Sequence, residues 1–384
     1  MTARELDLPD PYAPSARVGF NPVAVMLVCV AFLCTLGLVA VYSATAFKSS
    51  TFFYKQILGL GLGFAAGGVA SRLNLEFCRR YIWLLGAGVV LLLILVAIPG
   101  LGISVNGSRR WLGFGPLRFQ VSEFAKLGIV VVLAHYLALN QSMMGDLKKG
   151  FLWPLVIIGG IAGPIMLQPD FGTTALVGVV GVVVLFLAGA RWRYILTSVV
   201  GMVALFAIAI VTNLNRLTRF TAFLDVEGNK QGGTYQVYQS FLGFAAGGIS
   251  GAGLGQGRQQ IYFLPEAHTD FIFAVVGEEL GLVFTLATVL AFFVFFVCGI
   301  LHLRRAPNQF QFLLVAGALL IVALQAIVNL GVVVGRLPTK GMSLPFVSAG
   351  MSNLVLMGLI VGLLVNTRRA WSREDALPGR RDFE

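Results

Sequence analysis

The stretch Leu264-Pro265-Glu266-Ala267-His268-Thr269-Asp270-Phe271-Ile272-Phe273 leads straight into an apolar run reaching Leu301, in which Glu278 and Glu279 are the only charged residues. A run of that length is a membrane span, since about 20 apolar residues are needed to cross the hydrocarbon core. Pro265 interrupts the chain before it, and Thr269 can cap the helix that Asp270 opens. An acid in that first turn faces the positive end of the helix dipole, which would keep Asp270 ionised at the membrane surface and able to accept a proton from a hydroxyl. The same residues also suit a plain helix start with no chemistry.

The rest of the chain repeats the pattern. Hydrophobic residues make up 57% of the 384 and charged residues 12%, too little charge to cover a soluble domain of this size. Apolar runs predict spans near 23–46, 54–70, 81–98, 121–139, 151–167, 171–190, 194–212, 270–301, 310–334 and 348–365. The expected fold is therefore all-α, a polytopic bundle of about ten transmembrane helices. A helical domain over 23–367 is flanked by tails at 1–22 and 368–384, with one large extracytoplasmic loop at about 214–269. The N-terminal tail lacks a signal-peptide pattern, so the first span is expected to stay as an anchor.

An even number of spans puts both termini on one side. Arg72, Arg79, Arg80, Lys148, Lys149, Arg191, Arg193, Arg304, Arg305, Arg368 and Arg369 share that side, which makes it the cytoplasm. The formal charge is +11, but the basic residues form no compact face with interleaved aromatics, which excludes a nucleic-acid module. Arg109, Arg110, Arg118, Arg216, Arg219, Arg258, Arg336 and Lys340 then fall outside, against the usual bias. Arginine forks and lysine point charges suit phosphate, so these cations fit a diphosphate-bearing lipid. Contact with anionic headgroups of membrane lipids is the plainer alternative.

Within the long loop, Tyr235, Tyr238, Phe241, Leu242 and Ala245 recur at helical spacing opposite Gln236, Gln239 and Ser240, as in a helix lying in the interface. The run Gly247-Gly248-Ile249-Ser250-Gly251-Ala252-Gly253-Leu254-Gly255-Gln256-Gly257 has no strand before it to make a nucleotide loop, and reads as a turn whose free N–H groups could approach a phosphate. Glu278 and Glu279 lie about 12–13 Å below Asp270 at 1.5 Å per residue. Acids at that depth are costly unless protonated or paired. Lys126, one turn after Glu123, is the partner expected for them. Gly59, Gly63 and Gly67 form a small-residue stripe for close helix packing. Cys29, Cys34, Cys78 and Cys298 have no disulfide or metal spacing.

In order along the chain, Val41-Tyr42-Ser43-Ala44, Arg109-Arg110-Trp111, Gln120-Val121-Ser122-Glu123 with Lys126, Gln168-Pro169-Asp170-Phe171-Gly172-Thr173, the 264–273 run, Gly277-Glu278-Glu279-Leu280-Gly281 and Leu337-Pro338-Thr339-Lys340-Gly341 resemble the SEDS family. These are the shape, elongation, division and sporulation proteins of the FtsW and RodA type, and the resemblance covers nearly the whole chain. It implies a peptidoglycan glycosyltransferase that polymerises lipid II, with the aspartate at position 270 catalytic. The wording of 265–281 is closer to the division members than to the elongation members. Two positions depart from the family pattern: Val121 stands where proline is usual, and Ser348-Ala349-Gly350-Met351-Ser352 lacks the usual tyrosine and a glycine.

On this reading Asp270 is the general base. Arg109, Arg110, Lys126, Arg219, Arg258, His268, Thr269 and Lys340 are expected to bind substrate, and Glu123, Asp170, Glu278 and Glu279 to position the site. No metal-ligand cluster is visible, although a divalent cation, Mg or Mn, could share the diphosphate's charge. The resemblance implies a class B penicillin-binding transpeptidase as partner and, for a division member, further divisome proteins at the division site. The competing class is a flippase for lipid-linked precursors, with Glu278, Glu279 and Lys126 as gating residues; an elongation polymerase or a non-catalytic scaffold are the remaining alternatives.

Overall fold

A computed structural model describes residues 20–46, 50–105, 108–114 and 117–375. Thirteen α-helices are present among the described residues: α1 (Pro22–Thr45), α2 (Ser50–Ala70), α3 (Leu75–Arg79), α4 (Ile82–Ala97), α5 (Val121–Leu139), α6 (Trp153–Leu167), α7 (Phe171–Leu187), α8 (Trp192–Val211), α9 (Leu214–Leu224), α10 (Tyr235–Gly247), α11 (Ile272–Leu303), α12 (Gln309–Val333) and α13 (Met351–Asp375). Each predicted span corresponds to one of them, namely α1, α2, α4 to α8 and α11 to α13. Seven of the described helices, counting α6 with the turn before it, are long and apolar enough to cross a membrane, and α4 and α7 are shorter apolar helices. The chain is a multi-pass membrane bundle.

Most of the tail expected over 1–22 lies outside the described residues. The helix α13 runs on past 367, through Arg368 and Arg369 to Asp375.

The core is made by α5, α7 and α12, whose facing residues Ile129, Leu133, Val180, Leu185, Val315 and Val322 are sealed from solvent. The glycine stripe of α2 does pack, and its partner is α13. A Cβ at Gly63 would lie 2.6 Å from the Leu354 carbonyl oxygen, and one at Gly67 2.7 Å from that of Gly358. This stripe is therefore occupied within the chain. Backbones approach that closely only where side chains are absent, the small-residue packing common in membrane helices.

A three-stranded antiparallel sheet was not expected from the sequence. Strands β1 (Ile103–Val105), β2 (Ser108–Phe114) and β3 (Leu117–Gln120) pair in order between α4 and α5. Trp111 faces Gln120 across β2 and β3, so the sheet delivers Arg109 and Arg110 on adjacent, opposite-facing positions beside the start of α5.

The helix that follows Asp270 is broken. Gly281 has φ 74°, ψ −168°, and the carbonyls of Glu278 and Glu279 accept hydrogen bonds from Ala252 and Gly253 at 2.9 and 3.0 Å. Only glycine takes that φ without strain. The glycine-rich run thus closes a gap in α11, and its N–H groups are used on protein carbonyls and carboxylates; the expected approach to a phosphate is not what they do.

Candidate active site

Asp270 lies in the turn before α11, which starts at Ile272 with Phe271 as its cap. The expected Thr269 cap is absent: its hydroxyl donates to the Glu266 carbonyl at 3.1 Å. Three hydrogen bonds fix the turn from behind. Asn329 on α12 donates to the Asp270 carbonyl at 2.8 Å and to that of Met342 at 2.7 Å, tying the turn to the 337–347 loop. Ser348 donates to the Thr269 carbonyl at 2.6 Å and accepts from the Leu344 N–H, while the Ala349 N–H donates to the His268 carbonyl. The segment that departs from the family pattern is thus held by its retained serine and by backbone.

A cavity of ≈600 Å³ opens in front of Asp270, lined also by Arg110, Arg219, Gln236, Lys340 and Gly341. Gly341 has no room for a side chain, since a Cβ would stand 2.7 Å from the Asp270 carboxylate. Gly172 likewise leaves the space that the Lys340 stem fills.

Burial pushes the Asp270 carboxyl up to about 6; the neighbouring Glu266 carboxylate acts in the same direction, and Arg110 and Lys340 oppose both. Desolvation thus acts against the ionisation that the helix start favours. Burial lowers Lys340 to about 8; Asp170 opposes that, and Arg110, Arg219 and Arg216 reinforce it. A carboxylate that exchanges its proton near neutrality, faced by cations in one cavity, is chemically suited to take a proton beside a bound anion.

Asp170 organises the cation side. It caps α7 through the Thr173 N–H at 3.3 Å, accepts from the Thr173 hydroxyl, Ser122 and Gln120, and pairs with Arg110 at 3.1 Å while itself 2% exposed. Burial alone would raise its carboxyl, but Arg110, Lys340 and the Thr173 hydrogen bonds outweigh this and hold it below the usual range. The Arg110 Nε is buried and has no hydrogen-bond partner among the described residues, so part of its fork is left for something else.

Of the expected substrate residues, the cavity brings together Arg110, Arg219 and Lys340 with Asp270. It leaves out Arg109, Lys126, Arg258, His268 and Thr269. Arg258 is exposed and uses its N–H on Glu278 at 2.7 Å, and the His268 ring packs on Phe52 with centroids 4.3 Å apart.

Lys126 is 1% exposed and bonds Glu123 at 2.6 Å, with Asn353 completing that carboxylate. It is not the partner of Glu278 or Glu279. Those two accept hydrogen bonds instead: Glu278 from the Arg258 and Gln259 N–H groups, Glu279 from Ser43, Gln260 and the Gly255 N–H. They clamp the segment after the glycine-rich run to α11 and α1. We expect Lys126→Met to lower stability by about 3–5 kcal/mol, the usual effect of orphaning one partner of a buried pair. Adding Glu123→Leu should recover most of it, measured by thermal unfolding in detergent; an unchanged melting temperature in the single variant would contradict a stabilising pair.

Sequence reasoning missed Asn329, Gln236 and Gly341. Asn329 carried a signal, a polar residue inside an apolar span, while Gln236 was read only as part of the polar face of an interfacial helix. The face of α10 that is buried comprises Val237, Ser240, Gly243 and Gly247 against α11, and Phe241, Leu242 and Ala245 are exposed.

The family described as "Cell cycle protein", covering FtsW, RodA and SpoVE, matches residues 23–373. The chain is 38% identical over 352 residues to a probable peptidoglycan glycosyltransferase FtsW of Coxiella burnetii, covering 88% of this chain and 94% of the relative. It is 37% identical to stage V sporulation protein E of Bacillus subtilis, covering 91% and 97%. Among solved structures, it superposes on a chain described under "Structural coordination of polymerization and crosslinking by a peptidoglycan synthase complex" with TM-score 0.76, 27% identity and coverage of 90% and 97%. The rod shape determining protein RodA of Thermus thermophilus gives TM-score 0.68 at 27% identity, covering 89% and 95%.

Proposed function

The chain belongs to the FtsW/RodA/SpoVE family of cell cycle proteins and is a peptidoglycan glycosyltransferase of the FtsW type, and from that premise we propose that it polymerises lipid II with Asp270 as general base. The observation that carries the reading is the meeting of one proton-exchanging carboxylate with three cations in a single cavity. In the proposed step, Asp270 takes the proton of the acceptor sugar's hydroxyl as that oxygen attacks the donor's anomeric carbon. The bond from that carbon to the diphosphate breaks, and the lipid diphosphate leaves with the electron pair. Charge grows on the departing diphosphate, where preorganised cations lower the barrier most. Arg110 and Lys340 supply positive charge at the cavity wall, and Arg219 adds an exposed guanidinium.

A divalent ion at the diphosphate would add Lewis-acid stabilisation. The described residues contain no group of three His, Cys, Asp or Glu suited to hold one, so substrate phosphate and water would supply most of its ligands. The cytoplasmic placement of both termini, the bacterial inner membrane and the division site belong to the same proposal, as do a class B penicillin-binding transpeptidase and divisome partners. They are supported by the charge pattern and by the division wording of 265–281. The buried Glu278 and Glu279, held by N–H groups of the chain's own loop, favour a fixed clamp over the gate that a flippase would need.

Purified protein given lipid II should yield glycan polymer. Its kcat/KM should fall as pH passes about 8, because the free enzyme's Lys340 then loses the charge that meets the diphosphate. Lys340→Arg keeps the charge and should move that fall to higher pH. A fall near 8 that persists unchanged in the arginine variant would remove Lys340 from the anion seat, and absence of polymer from the wild type would overturn the activity itself.

A further inference from the structure

The end of the bundle opposite Asp270 holds a polar cavity of its own. α13 starts just after the residues that hold the Asp270 turn and reaches Arg369 about 27 Å further on at 1.5 Å per residue, roughly the thickness of the hydrocarbon core. There a cavity of ≈480 Å³ lies between the link from α2 to α3, the start of α12 and the last turns of α13, lined by Arg72, Asn74, Glu76, Gln311, Asn366 and Arg369. We infer that this cavity seats the phosphate of an anionic phospholipid headgroup.

Three observations carry this. The side chains of Arg72 and Arg369 come from different elements and make no hydrogen bond or ion pair among the described residues. Two planar forks of the kind that match phosphate therefore share one cavity with their charge unopposed. The acid in the lining, Glu76, is already paired with Arg79 at 3.4 Å. Next, the walls are fixed from within the protein. Asn366 donates to the Ala70 and Leu73 carbonyls at 2.8 and 2.6 Å, and Gln311, 6% exposed, accepts the Trp371 indole N–H on its Oε1. The Gln311 amide nitrogen has no hydrogen-bond partner among the described residues, which leaves a nearly buried donor at the cavity for an anion. Finally, the cavity continues into apolar surface. Val69, Leu73 and Phe77 beside it are exposed, so a ligand held by its phosphate lays hydrocarbon on them, whereas a small soluble anion gains nothing there.

Protein purified in detergent is titrated with phosphatidylglycerol, phosphatidylcholine or soluble glycerol 3-phosphate, and bound molecules are counted by native mass spectrometry. One phosphatidylglycerol should bind more tightly than phosphatidylcholine. Arg72→Gln and Arg369→Gln should each weaken it about 5-fold, the effect of one basic residue at an anionic membrane surface. Both positions are exposed, so the variants should fold, and unchanged melting temperatures without lipid check this. Arg193→Gln removes an exposed arginine from the same end of the bundle, outside the cavity, and should leave binding unchanged. An equal loss from Arg193→Gln would reduce the effect to diffuse attraction between a basic surface and the membrane and overturn the site. Equal binding of phosphatidylcholine would contradict an anionic headgroup, and displacement of the lipid by glycerol 3-phosphate at equal concentration would overturn the lipid as occupant.

Discussion

Replacing Asp270 with asparagine is expected to lower glycan polymerisation by about 10²–10⁴-fold, the usual contribution of a positioned general base, while raising the melting temperature at neutral pH. The two effects have one origin. Burial holds the carboxyl at about 6, above its ordinary 3.8, so the ionised form that the proposed base requires is the form the fold disfavours. A raised acid weakens the folded state only where it is ionised. The penalty is absent below about 4 and fully developed above about 6, so Asp270→Asn should unfold later than wild type at pH 7.5 and at the same temperature near pH 4. Asparagine preserves shape and leaves the backbone contact with Asn329 intact. Polymer from the variant at the wild-type rate would sink the general-base role, and an unchanged melting temperature at pH 7.5 would remove the desolvation argument.

Asp170→Ala is expected to lower stability by about 3–5 kcal/mol, together with loss of activity. Asp170 is buried, ends the α6–α7 turn, caps α7 and is the carboxylate that anchors Arg110. Removing it leaves a guanidinium without its counter-ion at the cavity wall and strips the cap from a helix start. Arg110 retains 28% side-chain exposure, which places the effect toward the lower end of that range. Asp170→Asn keeps the cap and should lose less stability but as much activity, because Arg110 is no longer held in place. Equal activity for asparagine and wild type, read at a temperature where both are folded, would mean that Asp170 serves the fold alone.

The spans were legible because hydrocarbon imposes length and apolarity on each, and the bounds of α5 and the start of α7 fall where the sequence placed them. The α2 stripe was legible for a similar reason, since glycines at four-residue intervals have little use but close packing. Its partner α13 was not, because a contact between distant spans leaves no local periodicity. The sheet over 103–120 escaped because its strands are short and lie among turns. Lys126 was assigned to the wrong acids for want of a third dimension: depth matched, but Glu123, one turn away on the same helix, was nearer. The cations divide in the same way. Sequence places seven arginines and Lys340 outside, and only folding shows that Arg110, Arg219 and Lys340 face Asp270 while Arg109 and Arg258 do not. Glu278 and Glu279 looked like charges needing a cation; backbone N–H groups from a glycine-rich loop satisfy them instead, an option that composition alone does not reveal.

The central claim is that a single raised carboxylate, Asp270, accepts the proton in glycan polymerisation. Its most direct test is the pH dependence of kcat/KM on the acid side, measured for the purified enzyme with lipid II. The account predicts a rise with a midpoint near 6 that disappears from the residual activity of Asp270→Asn. A profile that is flat from pH 5 to 7, or a rise that survives unchanged in the variant, would contradict it.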